Sequence, residues 1–157
     1  MSYDFNRDWL TKKFGEIRKR LLLAIQQLDD EQLNWRPDGT SHSIAGLIKH
    51  IEGNMLERIV SGMLHEPIQR DRDSEFTTPL ISKEDLETIV DERFQFIIHT
   101  IAEMSDAKLE QTQQVRSRER TNLDMLHQCA AHYSEHMGQI FYIAKQCLQQ
   151  EYKSTSV

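Results

Sequence analysis

The sequence predicts an all-α protein, a four-helix bundle with long crossover connections. Two observations carry that expectation. Four segments repeat apolar residues at intervals of three and four, the period of a helix with one buried face. The 157 residues include only 6 Gly and 3 Pro, with 38% hydrophobic and 28% charged residues. That balance suits one helical domain over residues 1–157, large enough to bury a core, and not a turn-rich sandwich or a disordered tail.

The first helix is expected from about Asn6 to Leu28. Leu10, Phe14, Ile17, Leu21, Ala24, Ile25 and Leu28 form its stripe. Pro37 and Gly39 then mark a connection. The second helix opens near Ser41 or Ser43, both good N-caps. Ile44, Ile48, Ile51, Met55 and Ile59 line it, and it closes around Gly62 to Leu64. A third opens at Ser82, where Ser82 to Asp85 resembles a capping box. It carries Leu86, Ile89, Val90, Phe94, Ile97, Ile101 and Met104. The fourth begins near Thr121–Asn122 and runs to about Glu151. Its seam of Leu126, Ala130, Tyr133, Met137, Ile140, Ala144 and Cys147 alternates steps of four and three. The connections His65–Ile81 and Ser105–Arg120 exceed the roughly 2–8 residues usual between bundle helices, and such long connections are often functional.

Charge and composition narrow the partners. Net charge is −6, and no basic run carries interleaved aromatics, so nucleic acid is not expected. Arg116-Ser-Arg-Glu-Arg120 is short and contains an acid, and reads as a solvated loop. No apolar run approaches the roughly 18 residues of a membrane span, and the first residues lack the apolar core of a signal peptide. Cys129 and Cys147 fall on the same predicted helix, about 27 Å apart at about 1.5 Å per residue. They cannot pair with each other, which suits a reducing cytoplasm. The expected partner is a small-molecule substrate, and a homodimer is the assembly considered.

The chemistry concentrates at His132-Tyr-Ser-Glu-His136. Residues four apart share a helical face, so both imidazoles can reach one divalent ion. Glu135 does not occupy the second position of H-E-x-x-H, so the usual general base of a zinc protease is missing. With Tyr133 at 0° on the wheel, His136 lies at about −60° and His132 at about −100°, on the shoulder of the apolar face. Two imidazoles there need partners for their ring nitrogens. Neighbouring hydrogen bonds would serve, and so would a shared metal. A third ligand must come from elsewhere. His50 on the second helix is the candidate, with Gly46 and Asn54 one turn away on either side. Gly46 would leave room for an ion or substrate, although His50 lies off its helix's apolar stripe. His42, His65, His99 and His127 are weaker candidates.

Several ordered pieces resemble the DinB/YfiT-like superfamily, in a branch of unknown function. They are Leu33-Asn-Trp-Arg-Pro37, Ser43-Ile-Ala-Gly-Leu-Ile-Lys-His50-Ile, Gly53-Asn-Met-Leu56, Arg70-Asp-Arg-Asp-Ser-Glu-Phe76 and His132-x-x-x-His136. The resemblance spans nearly the whole chain. It implies a bundle with up-down-down-up helix order. It also implies a divalent metal, commonly zinc or nickel, held by His50, His132 and His136. Characterised members of that superfamily transfer or isomerise groups with low-molecular-weight thiols such as bacillithiol and mycothiol.

Three neutral histidines leave one position of a tetrahedral ion open, as in catalytic and not structural sites. A thiol or a water reaching that position would be activated near neutral pH. The expectation is therefore a metal-dependent enzyme with thiol-dependent S-transferase chemistry. The alternatives are a metal-dependent hydrolase or a non-catalytic metal-binding bundle. Asn54, Arg72, Asp73, Glu75 and Glu135 are the candidates to support the ligands or touch substrate. Cys129 reads as a core residue, not a nucleophile.

Overall fold

The apolar stripes read from the sequence become the inner faces of four long helices. The computed structural model describes residues 2–77 and 79–156. The long helices are α1 (Asp4–Gln26), α3 (Ile44–Met55), α5 (Lys83–Glu103) and α7 (Asn122–Leu148). Short elements fill the connections: α2 (Asp30–Asn34), α4 (Ser74–Thr77), α6 (Asp106–Glu110) and an antiparallel hairpin of β1 (Thr112–Val115) and β2 (Arg118–Thr121). A π-helical stretch, Leu56–Ser61, prolongs α3, and a 3-10 turn, Gln149–Glu151, follows α7. Helices α1 and α3 each pack against both α5 and α7.

The helix starts follow side-chain chemistry. Ser43, Ser82, Ser105 and Thr121 each accept a hydrogen bond from the backbone N–H three residues on, which satisfies a donor that the helix leaves orphaned. Ser82 is a simple cap, without the reciprocal bond from Asp85 that the expected box requires. The full capping box lies instead at Asp29 and Gln32, where α2 occupies part of the predicted connection.

The core is continuous. Phe14 of α1, Phe94 of α5 and Tyr133 of α7 meet with ring centroids 6.1 to 6.3 Å apart, within the range of favourable aromatic contacts. Leu126, Ala130, Met137, Ile140 and Ala144 of the predicted α7 seam are buried, while Cys147 remains partly exposed. Both cysteines are free thiols.

The two long connections differ from the expected structureless loops. The first carries α4, packed on α3. The second carries α6 and the hairpin, so Arg116–Arg120 is a turn and strand and not an irregular loop, although 116–119 are exposed as expected. The hairpin is tied to the π-helical stretch. There the Gly62 N–H reaches the Glu57 carbonyl and the Met63 N–H reaches that of Ile59. The Arg58 carbonyl is passed over, and it accepts from Gln113 Nε2 at 3.1 Å. Gly62 permits this approach, since a Cβ there would lie 2.3 Å from Gln113 Oε1.

Candidate metal centre

Helix α3 brings His50 to α7, where His132 and His136 stand one turn apart. Their ligand atoms lie within 4.8 Å of one another. The Nε2 atoms of His50 and His136 are each 3.3 Å from Nε2 of His132. Nitrogens bound to Zn²⁺ at about 2.0–2.1 Å in tetrahedral geometry are separated by about 3.3 Å, so the donor set fits an ion of that size. All three side chains are half-buried.

The outer nitrogens explain why the inner ones converge. His50 Nδ1 lies 3.0 Å from Glu75 Oε2, and His136 Nδ1 lies 2.7 Å from Gln139 Oε1. Both oxygens are acceptors, so both Nδ1 atoms carry the proton and both Nε2 atoms present lone pairs. Among the described residues His132 has no acceptor that close to its Nδ1, so without an ion its Nε2–H can donate to either neighbour, and a cation would take the place of that proton. The same outer contacts are what a metal-bound histidine uses to set its tautomer and orientation.

Glu75 is itself held in place. It is 5% exposed and accepts from Arg70 Nε at 2.7 Å, while Arg70 also pairs with Glu57. Gly53 makes room for this pair, because a Cβ there would lie 2.1 Å from Glu75 Oε1 and 2.6 Å from Arg70 Nε. Gly46 has a different role from the one expected. The space beside it is filled by the Phe76 ring and the Glu75 backbone of α4, at 3.3 and 3.4 Å from a built Cβ, and not by an ion. Phe76 in turn stacks on both His50 and His42.

Burial disfavours the charged form of two of the candidate ligands, His132 and His50. It pushes His132 down to about 4, helped by the nearby imidazoles of His136 and His50. Burial also lowers His50, partly offset by its hydrogen bond to Glu75. Neutral imidazole is the form that binds metal. Beside the histidines opens a cleft of about 590 Å³, whose lining includes His50, His132, Asn54 and Arg72, a volume typical of small-molecule sites.

The predicted supporting residues separate. Glu75 orients His50 directly. Asn54 lines the cleft, and its Oδ1 accepts from the Tyr133 hydroxyl at 2.9 Å instead of from a ligand histidine. Arg72 lines the cleft as well. Glu135 is exposed and only 4.0 Å from His132 Nδ1. Asp73 is exposed, and its backbone carbonyl accepts from Thr77 Oγ1. Arg70 and Gln139 were missed. Arg70 belonged to a charged run that reads as solvent-facing, yet its side chain is 7% exposed. Gln139 stands three residues after His136, one helical turn on, which is a weak signal in hindsight. Of the other histidines, His127 is taken by Asn6 and Trp9, and His99 faces solvent beside Glu103.

The model of a family described as "Protein of unknown function (DUF1572)" matches residues 4–157. The chain belongs to the DUF1572 family. Solved structures relate this DUF1572 member to DinB-like proteins. One from Bacillus subtilis has a TM-score of 0.69 at 16% identity, covering 88% of this chain and 91% of that one. A DinB-like protein from Bacillus cereus gives 0.71 at 16% identity, covering 88% and 90%. A conserved protein from Enterococcus faecalis gives 0.74 at 12% identity, covering 88% and 94%. At these identities the likeness is one of fold. No curated protein matches the chain.

Proposed function

We propose that this DUF1572 member is a metal-dependent enzyme whose ion is held by His50, His132 and His136. One observation carries the reading: three Nε2 atoms converge beside a cleft, with the outer nitrogens of two rings engaged by acceptors. A divalent ion there, zinc or nickel, would supply Lewis acidity to a thiol or a water entering the cleft.

The chain's own groups do the rest. Glu75, clamped by Arg70, orients His50. Gln139 orients His136. Tyr133 donates to the side-chain carbonyl of Asn54, which fixes that amide on the wall of the cleft. Burial keeps His132 unprotonated. Thiol-dependent transfer is favoured because the protein offers no thiol of its own here. Cys129 is 1% exposed and burial pushes its thiol up to about 11, so little of it ionises near neutral pH. A low-molecular-weight thiol cosubstrate would supply the nucleophile. The hydrolase reading uses the same site with water.

The accompanying expectations are an up-down-down-up helix order, a cytoplasmic location and a homodimer. Among the described residues no helix is long and apolar enough to cross a membrane. Elemental analysis of purified protein, followed by an electrophile screen with and without added thiol, tests the proposal. Turnover that requires both metal and thiol is expected. Equal turnover without thiol moves the assignment to hydrolysis, and failure of the wild type to bind Zn²⁺ or Ni²⁺ sinks the metal reading.

A further inference from the structure

The cleft beside the histidines has a charge opposite to that of the whole protein. The chain carries a net −6, yet Arg58, Arg72, Arg116, Arg118 and Arg120 all line the cleft, and no Asp or Glu does. Two of these cations are partly answered by neighbours. Arg120 Nε lies 2.6 Å from Asp124, and Arg58 Nη1 lies 3.7 Å from Glu57. Arg72, Arg116 and Arg118 enter no ion pair with a carboxylate among the described residues. Like charges gathered around one concavity repel, and a low-dielectric wall sharpens their field. Val115, Met125 and Cys129 provide such a wall, since all three are buried side chains on the lining.

The hairpin that delivers three of these arginines is held in place. Gln113 ties it to the π-helical stretch and to Asn122 at 3.2 Å. Its two-residue turn sets Arg116 at φ 56°, a left-handed conformation that glycine adopts freely and arginine does not. A guanidinium therefore stands where backbone preference alone favours another residue.

We infer that this cleft binds a small molecule carrying at least two negative charges, as carboxylate or phosphoryl groups. The guanidinium groups hold its anionic part, and its reacting end faces His50 and His132. Guanidinium pairs with either group through two parallel N–H···O bonds. A volume of about 590 Å³ suits one small molecule. The chain's net charge of −6 opposes a long polyanion such as nucleic acid. The inference about the reacting end rests on the metal-site reading; the inference about charge does not.

Calorimetric titration of metal-free protein, at constant chloride, with citrate, inorganic pyrophosphate and uncharged glycerol tests it. Metal-free protein reads the anion site whether or not the histidines hold an ion, and a separate Zn²⁺ titration of the same variants reads the ion site. Saturable one-to-one binding of citrate, pyrophosphate or both is expected, with none for glycerol. Citrate alone would identify carboxylates, and pyrophosphate alone phosphoryl groups. Arg72→Ala and Arg116→Gly should each weaken binding by about tenfold or more while leaving Zn²⁺ affinity within about twofold. Arg116→Gly suits the φ of its position, so it keeps the hairpin folded, and Arg118→Ala provides a second variant on the same hairpin. No saturable heat from either anion would overturn the inference. So would unchanged affinity in all three variants, or tight binding of a DNA duplex with neither small anion binding.

Discussion

The position of one carboxylate decides how His50 presents its nitrogen. Glu75→Gln keeps an acceptor for His50 Nδ1 but removes the charge that Arg70 clamps. Outer partners of metal-bound histidines are typically worth about 10–100-fold in affinity, and a loss in that range is expected in a Zn²⁺ titration. Gly53→Ala should act through the same carboxylate, because its Cβ would displace Glu75 Oε1. Overpacking of this kind costs about 1–3 kcal/mol, readable by urea denaturation. Undiminished affinity in both variants would detach Glu75 from the site. The pH dependence follows from His132. Its folded value, about 4, lies below the ordinary 6.5, so the unfolded chain takes up the proton first. Stability of the metal-free protein is therefore full above about pH 6.5 and falls as pH drops toward 4. His50 shifts in the same direction. Denaturation of metal-free protein at pH 7 and pH 5 should show the fall, and His132→Gln should reduce it. An identical fall in that variant would remove His132 as the cause.

Among the elements, α7 carries the greatest burden, since it supplies both a core seam and two of the three candidate ligands. Ile140 is fully buried on the seam, and Ile140→Ala should destabilise by about 2–5 kcal/mol. A change below about 0.5 kcal/mol would mean that the helix presents another face. The hairpin makes the opposite prediction. Arg116 holds φ 56°, so Arg116→Gly should stabilise the protein by about 1 kcal/mol by relieving backbone strain, measured as a rise in the denaturation midpoint. Loss of stability there would show that the Arg116 side chain holds the turn.

For the whole molecule, the proposed metal centre would link ion binding to folding, because the three histidines come from α3 and α7 and meet only in the folded state. Metal at about 1,000 times its dissociation constant should stabilise the protein by about 4 kcal/mol. Thermal unfolding with and without Zn²⁺ reads this as an upward shift. Alanine at any one of His50, His132 or His136 should abolish most of the shift, and a second substitution should add little, because the three act as one unit. His65→Ala and His99→Ala should leave it intact. A full shift in His50→Ala would reduce the centre to the α7 pair.

Periodicity alone was enough for the helices, because a buried stripe repeats along one element and needs no partner to be read. The stripes from Leu10 to Ile25, Ile44 to Ile59, Leu86 to Ile101 and Leu126 to Ala144 are buried as their spacing predicts, except Ile89, which is partly buried. The His132–His136 pair was legible for the same reason, since i and i+4 share a face whatever packs against them. His50 was legible as a ligand only through the family resemblance, because it lies off its own helix's apolar stripe; the packing of α3 against α7 brings it within 3.3 Å of His132. The Arg70–Glu75 clamp and the arginine-lined cleft were also invisible locally. A charged run in a connection looks solvated until the chain around it closes. Burial of Glu75 and the docking of the hairpin through Gln113 are tertiary events, and they turn residues written as loop into the walls of a site.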